Sequence, residues 1–208
     1  MDTSIHGINL HWEERGDGTP WLLLHGYGGS NQDWQHLFDV DELARGRRLV
    51  MPDARGHGKS TDPEKAFSFR QCARDVRALL DHLEIERVRA VGVSLGAKTL
   101  LHVATQWPEL VEAMVLVSPA PYLPEDVRAV TGTPHDDLSF TPPHLATIAA
   151  RTLIVYGDRD PYYPVEMAVQ LYRAIPRSQL WVLPNGEHTP VFGEWRADFE
   201  RTARAFLG

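Results

Sequence analysis

The chain has 208 residues, 43% of them hydrophobic and 24% charged, with a formal net charge of −7. That length suits one domain, residues 1–208, able to bury most of its apolar surface, and the negative balance argues against a nucleic-acid partner. The one cysteine, Cys72, excludes an internal disulfide; with no signal-peptide pattern at Met1–His6 and no apolar run of membrane length, a cytoplasmic protein without a membrane partner is expected.

Thr3–Ile5, His6–Gly7 and Ile8–Trp12 read as a hairpin with alternating side chains. Trp21–Leu24 is wholly apolar, as a strand buried on both faces must be, and it ends in His25-Gly-Tyr-Gly-Gly29. Asn31–Leu43 is a weaker helical stretch, with Trp34, Leu37 and Phe38 as apolar contacts. Arg48–Pro52 is another buried strand, leading into Asp53-Ala-Arg-Gly-His-Gly-Lys-Ser60. Ser68 and Gln71 fit a capping box opening a helix whose apolar stripe is Cys72, Val76, Leu79, Leu80 and Leu83, so Cys72 is expected in the core.

Val88–Val93 is an apolar run of strand type, followed by Gly92-Val93-Ser94-Leu95-Gly96 and a helical stretch from Ala97 to Gln106. Strands are expected at Val111–Val117, Leu153–Tyr156 and Gln179–Leu183, and helices at Pro164–Ala174, with Pro164 at its start, and about Val191–Phe206. Strands alternating with helices imply a mainly parallel sheet covered on both faces, with the hairpin at one edge. Working groups in such sheets lie at the carboxyl ends of strands. His25, Asp53, Ser94, Asp160 and His188 all fall at or just beyond such ends.

Strand, Gly-x-Ser-x-Gly, helix is the context of a nucleophile elbow: a strained turn that lifts the serine hydroxyl above the sheet at a helix N-terminus. A serine needs a base to take its proton and a third group to orient that base. Ser94, Asp160 and His188 supply the set in the order Ser, acid, His. His25, His57 and His102 compete as bases, and Asp158 competes as the acid. His135, Asp136, Asp137 and His144 lie in a Pro-rich stretch without a recognised ligand spacing and read as a solvated loop rather than a metal site.

On these motifs the chain resembles a serine α/β-hydrolase, close to the small bacterial esterases, enol-lactonases and cofactor-free haloperoxidase-like enzymes. His25–Gly29 resembles the family's oxyanion loop, Asp53–Ser60 the motif after its next strand, Gly157–Asp160 the acid turn and His188 the C-terminal base. The resemblance implies the α/β-hydrolase fold, Ser94 as nucleophile, His188 as base and Asp160 as its partner. It makes His25 and His57 loop-shaping residues and places the oxyanion hole at the backbone N–H groups of Tyr27 and Leu95. It also implies no metal or organic cofactor and a small-molecule ester as substrate.

Relatives carry a helical cap between the strands ending near Ser118 and beginning near Leu153. Here that interval, residues 119–152, holds six prolines and has room for one or two short helices, so a reduced lid is expected. Tyr122, Leu123, Leu138 and Phe140 are its expected pocket-facing residues, beside Gly26 and Tyr27 of the oxyanion loop. The expected activity is cleavage of carboxylic esters or lactones through an acyl-enzyme; an epoxide hydrolase or dehalogenase of this fold would carry Asp at the elbow. Thioester and carbon–carbon bond cleavage, and a non-catalytic ligand receptor on the same fold, are the alternatives.

Overall fold

The computed structural model describes residues 1–63, 67–131 and 137–208. His135 and Asp136 lie outside the described residues. Eight strands form one sheet: β1 (Asp2–Ile5), β2 (Ile8–Arg15), β3 (Thr19–Leu24), β4 (Arg47–Pro52), β5 (Val88–Val93), β6 (Val111–Val117), β7 (Arg151–Gly157) and β8 (Ser178–Leu183). Their order is β1-β2-β4-β3-β5-β6-β7-β8. From β4 to β8 all pairings are parallel, while β2 runs antiparallel to β4 and to β1. This is the expected α/β-hydrolase architecture with its N-terminal hairpin.

The helices are α1 (Trp34–Leu37), α2 (Val40–Leu43), α3 (Phe69–His82), α4 (Leu95–Gln106), α5 (Glu125–Thr131), α6 (Pro142–Leu145), α7 (Val165–Ala174) and α8 (Arg196–Leu207). Alternation along the buried strands divides the core. Leu22, Leu24, Ala90, Met114, Leu116 and Ile154 join the cluster under α3, α4 and α7. Trp21, Leu23, Val91, Val93, Val115 and Val155 face the opposite way, onto Trp34, Phe38 and Phe199. Successive side chains of a strand leave on opposite faces, so a strand covered on both sides must be apolar throughout.

The structure departs from the sequence reading in local detail. The helical stretch expected over Asn31–Leu43 is broken. A 3₁₀ turn at Asn31–Asp33 precedes α1, the backbone extends at Phe38 (φ −124°, ψ 154°), and the Asp39 side chain caps α2. The last helix is also split, into a 3₁₀ turn at Pro190–Phe192 and α8, with Gly193 between them at φ −101° and ψ −134°. Pro164 caps α7 from an extended conformation instead of opening it.

Only half of the capping box at α3 forms. Ser68 Oγ accepts from Gln71 N–H at 3.1 Å, but the Gln71 side chain turns to Asp75. Asp137 caps the same helix end by other donors, accepting from Ser68 Oγ (2.5 Å), Phe69 N–H (2.7 Å) and Arg70 N–H (3.3 Å). A carboxylate suits that place because three donors and the positive helix end converge on it. Cys72 is buried, and burial pushes its thiol pKa up, as a core residue requires.

Candidate active site

β5 ends between β3 and β6, and the chain must turn from it into α4 within one residue. Ser94 takes that turn at φ 48° and ψ −99°, a region rarely occupied by residues other than glycine. Two hydrogen bonds and two close backbone approaches hold it. Ser94 N–H donates to Val117 O at 2.8 Å and Gly96 N–H to His25 O at 3.1 Å. A methyl group on Gly96 would strike the Leu24 carbonyl, and one on Gly92 would strike the backbone of Gly96 and Ala97.

The loops after β7 and β8 carry the other two groups. Ser94 Oγ lies 2.8 Å from His188 Nε2, and His188 Nδ1 lies 2.7 Å from Asp160 Oδ2. The Asp160 side chain is completely enclosed, and its second oxygen accepts from the N–H groups of Tyr162 (2.8 Å) and Tyr163 (3.1 Å). These donors fix the carboxylate, which fixes the Nδ1–H tautomer of His188 and leaves Nε2 to accept from Ser94. The Ser118 hydroxyl donates to the His188 carbonyl, tying His188 to the end of β6. Asp158, the rival acid, approaches Arg159 at 4.0 Å and does not meet His188.

The rival histidines are occupied. His25 Nε2 accepts from Ala54 N–H at 3.0 Å while Nδ1 donates to Gly26 O at 2.7 Å, and burial holds the ring pKa below its ordinary value. His57 Nδ1 bonds Arg55 O at 2.9 Å. His102 Nε2 donates to Asp137 O at 2.7 Å, and burial pulls its pKa down to about 4. Asp53 accepts from Asn31 N–H (2.7 Å) and Lys59 N–H (2.8 Å), so it joins the two loops on either side of Gly26. Among the described residues no group of three or more His, Cys, Asp or Glu side chains is placed to hold a metal.

A cavity of about 510 Å³ opens above Ser94. Gly26, Tyr27, Ser94, Leu95, Leu123 and His188 line it, joined by Phe69, Lys98, Val127, Tyr162, Tyr163 and Thr189. The backbone N–H groups of Tyr27 and Leu95 have no protein acceptor among the described residues. Leu95 opens α4, where N–H groups lack intrahelical partners. The loop bearing Gly26 runs beside Ser94: a Cβ on Gly26 would stand 3.9 Å from Ser94 Cβ. The Tyr27 ring is exposed and packs edge-on against His57 and Phe67 at the rim.

Three lid expectations are corrected. Tyr122, Leu138 and Phe140 do not line the cavity. A bridge pairs Tyr122 with Ser139, and Phe140 N–H donates to Pro121 O at 2.8 Å. This pairing turns Leu138 into the core and Phe140 onto His102, with ring centroids 4.7 Å apart, while Tyr122 stays exposed. Leu123 alone of the four reaches the cavity.

Lys98 escaped the sequence reading, although it stands four residues after Ser94 and so on the same face of α4. Its side chain is buried, with Nζ 3.4 Å from Ser94 Oγ and 4.5 Å from the centre of the Tyr163 ring. Burial pulls its pKa down to about 7, against the opposing charge of Asp160.

Residues 19–139 match the family model described as the alpha/beta hydrolase fold, and the chain belongs to that family. It is 38% identical over 120 residues to an sn-1-specific diacylglycerol lipase of Xenopus laevis, covering 57% of this chain and 36% of the lipase. It is 33% identical over 119 residues to a soluble epoxide hydrolase of Corynebacterium, covering 57% of this chain and 41% of that protein. The chain thus spans between a third and a half of the length of these relatives. A meta-cleavage product hydrolase of Pseudomonas fluorescens shares its fold with a TM-score of 0.83 at 22% identity, over 96% of this chain and 94% of the other. Among the described residues no helix is long and apolar enough to cross a membrane.

Proposed function

We propose that the chain hydrolyses carboxylic esters, lactones among them, through an acyl-enzyme on Ser94. The observation that carries the proposal is the continuous relay from Ser94 Oγ through His188 to the enclosed Asp160, at 2.8 and 2.7 Å. His188 Nε2 takes the hydroxyl proton as Oγ attacks the carbonyl carbon. The negative charge that forms on the carbonyl oxygen is met by the N–H groups of Tyr27 and Leu95 and by the N-terminus of α4. Nε2–H then protonates the leaving oxygen, the C–O bond breaks, and His188 next deprotonates the water that frees the acid. Asp160 stabilises the imidazolium throughout without taking its proton.

A serine at the elbow supports this reading over epoxide opening, and the likeness to a lipase agrees with it. The roof is sparse: α5 contributes Asp126 and Val127, with Leu123 before it. A second depression, lined by Val93, Trp34 and Phe192, shares Gly26, Tyr27 and Thr189 with the first, so the groove is open beside the nucleophile. Short and medium acyl esters are therefore the expected substrates, with modest discrimination per methylene.

The test is turnover of p-nitrophenyl butyrate together with labelling by a fluorophosphonate. Wild type turns over repeatedly and is labelled; Ser94→Ala loses about 10⁶ in kcat and all labelling. Sustained ester turnover by Ser94→Ala would overturn the proposal, and a single turnover by wild type would favour a ligand receptor.

A further inference from the structure

Lys98 is a charged group that ester hydrolysis by Ser94, His188 and Asp160 does not require. Among the described residues its one hydrogen-bond partner is Ser94 Oγ, at 3.4 Å. Its other neighbours are aromatic faces: the Tyr163 ring at 4.5 Å and the Phe69 ring at 5.7 Å. No carboxylate forms an ion pair with it among the described residues, and Asp160 is already taken up by His188 and two backbone N–H groups. Only 3% of the residue is exposed, yet it lines the cavity over the nucleophile. An ammonium offers three donors, and among the described residues one acceptor, Ser94 Oγ, meets them. A buried cation without a counter-ion is costly, and an anion placed beside it removes that cost.

We propose that Lys98 is a specificity-determining residue that binds a second carboxylate on the acyl group, so that half-esters of short dicarboxylic acids are preferred substrates. This rests on the ester-hydrolase reading. The acyl side is the relevant one because of where the groups converge. His188 must protonate the leaving oxygen, which therefore lies beside Nε2. Lys98 reaches Oγ from its own helix, one turn beyond Ser94, and meets the part of the substrate that stays on the serine. A cation 3.4 Å from Oγ is within reach of the carboxylate of a short acyl chain, whose oxygen in a succinyl group lies four bonds beyond the scissile carbonyl carbon. Burial leaves the empty-site amine poised at a pKa of about 7, and a bound carboxylate holds it as the ammonium. Asp126, exposed on α5, puts its own charge at the edge of the groove, so the selection is made at the floor.

The experiment compares monoethyl succinate with ethyl 4-methylpentanoate, in which an isopropyl group replaces the carboxylate at nearly equal size, by ethanol release at pH 7. In wild type kcat/KM should favour the half-ester by at least about tenfold, mainly through KM. In Lys98→Met the ratio of the two kcat/KM values should fall to one or below, whatever loss both substrates share. In wild type alone, glutarate should inhibit at least about tenfold better than butanoate. A wild type that turns over the neutral ester as well as or better than the half-ester overturns this inference and leaves the ester-hydrolase reading standing. So does a ratio unchanged in Lys98→Met. Turnover of neither ester overturns both.

Discussion

The floor of the site and the segment over it are placed by different forces. Ser94, Tyr27, Asp160 and His188 follow strands that are hydrogen-bonded to neighbours and packed between two apolar clusters. Their positions follow from where β3, β5, β7 and β8 end. Among its described residues the segment over 119–152 has no strand of the sheet until Arg151, and these are positioned by the Tyr122–Ser139 bridge, by Asp137 on the start of α3 and by short helices. On the floor Ser94, His188 and Asp160 lie within hydrogen-bond distance of one another in turn; over it, Leu123 alone of Tyr122, Leu123, Leu138 and Phe140 borders the cavity. A motif specifies a side chain's direction only where the backbone beneath it is already fixed.

The largest expected effects lie on the floor. His188→Ala should cost about 10⁶ in kcat and Asp160→Ala about 10⁴, while Asp158→Ala stays within a few-fold of wild type. A larger loss from Asp158→Ala than from Asp160→Ala, in initial rates on p-nitrophenyl butyrate, breaks the assignment of the acid. Ser94→Ala combined with His188→Ala should be hardly worse than either alone, because the two act as a unit.

The segment over the site should respond in stability where the floor responds in rate. Leu138→Ala empties a core position and should cost about 2–5 kcal/mol by urea unfolding, leaving KM for short esters unchanged. Leu123→Ala should raise KM, by up to about tenfold, because Leu123 borders the cavity. Equal KM effects of the two substitutions would erase the distinction between them.

Lys98 belongs to the floor yet should behave oppositely to its neighbours, since removing it stabilises the fold. Its amine titrates at about 7 when folded and near 10.5 when unfolded. Between those values the unfolded chain holds more protons, so stability rises with pH across that window. Below pH 7 both states are protonated and the whole penalty is felt; above 10.5 it has gone. Lys98→Met should therefore raise stability by on the order of 2–4 kcal/mol at pH 6 and much less at pH 9.5. Thermal unfolding at the two pH values reads the difference, and an equal gain at both contradicts it.

The smallest effect expected is at Asp137. Asp137→Ala removes the acceptor for three donors at the start of α3 and should cost about 1–2 kcal/mol, with little change in kcat. A normal urea midpoint for this variant would mean that Ser68 caps α3 unaided.

By itself the sequence determined the sheet and the relay. Apolar runs of strand length, the glycines around Ser94 and the spacing of Asp160 and His188 are local signals, and each strand end converts them into a direction in space. The sequence did not determine where helices break. Phe38 and Gly193 interrupt helical stretches because the connections there must turn to pack Trp34, Phe38 and Phe199 beneath the sheet. Nor did it determine how the carboxylates and cations pair. Asp137, read as solvated, caps a helix 68 residues away from it in the chain. Lys98, unremarked in a helix of ordinary composition, is brought to Ser94 by one helical turn and enclosed by Phe69 and Tyr163 from two other parts of the chain. The contacts of Asp137 with α3 and of Phe69 and Tyr163 with Lys98 join residues far apart in sequence, and only packing of the whole sheet and its helices brings them within reach.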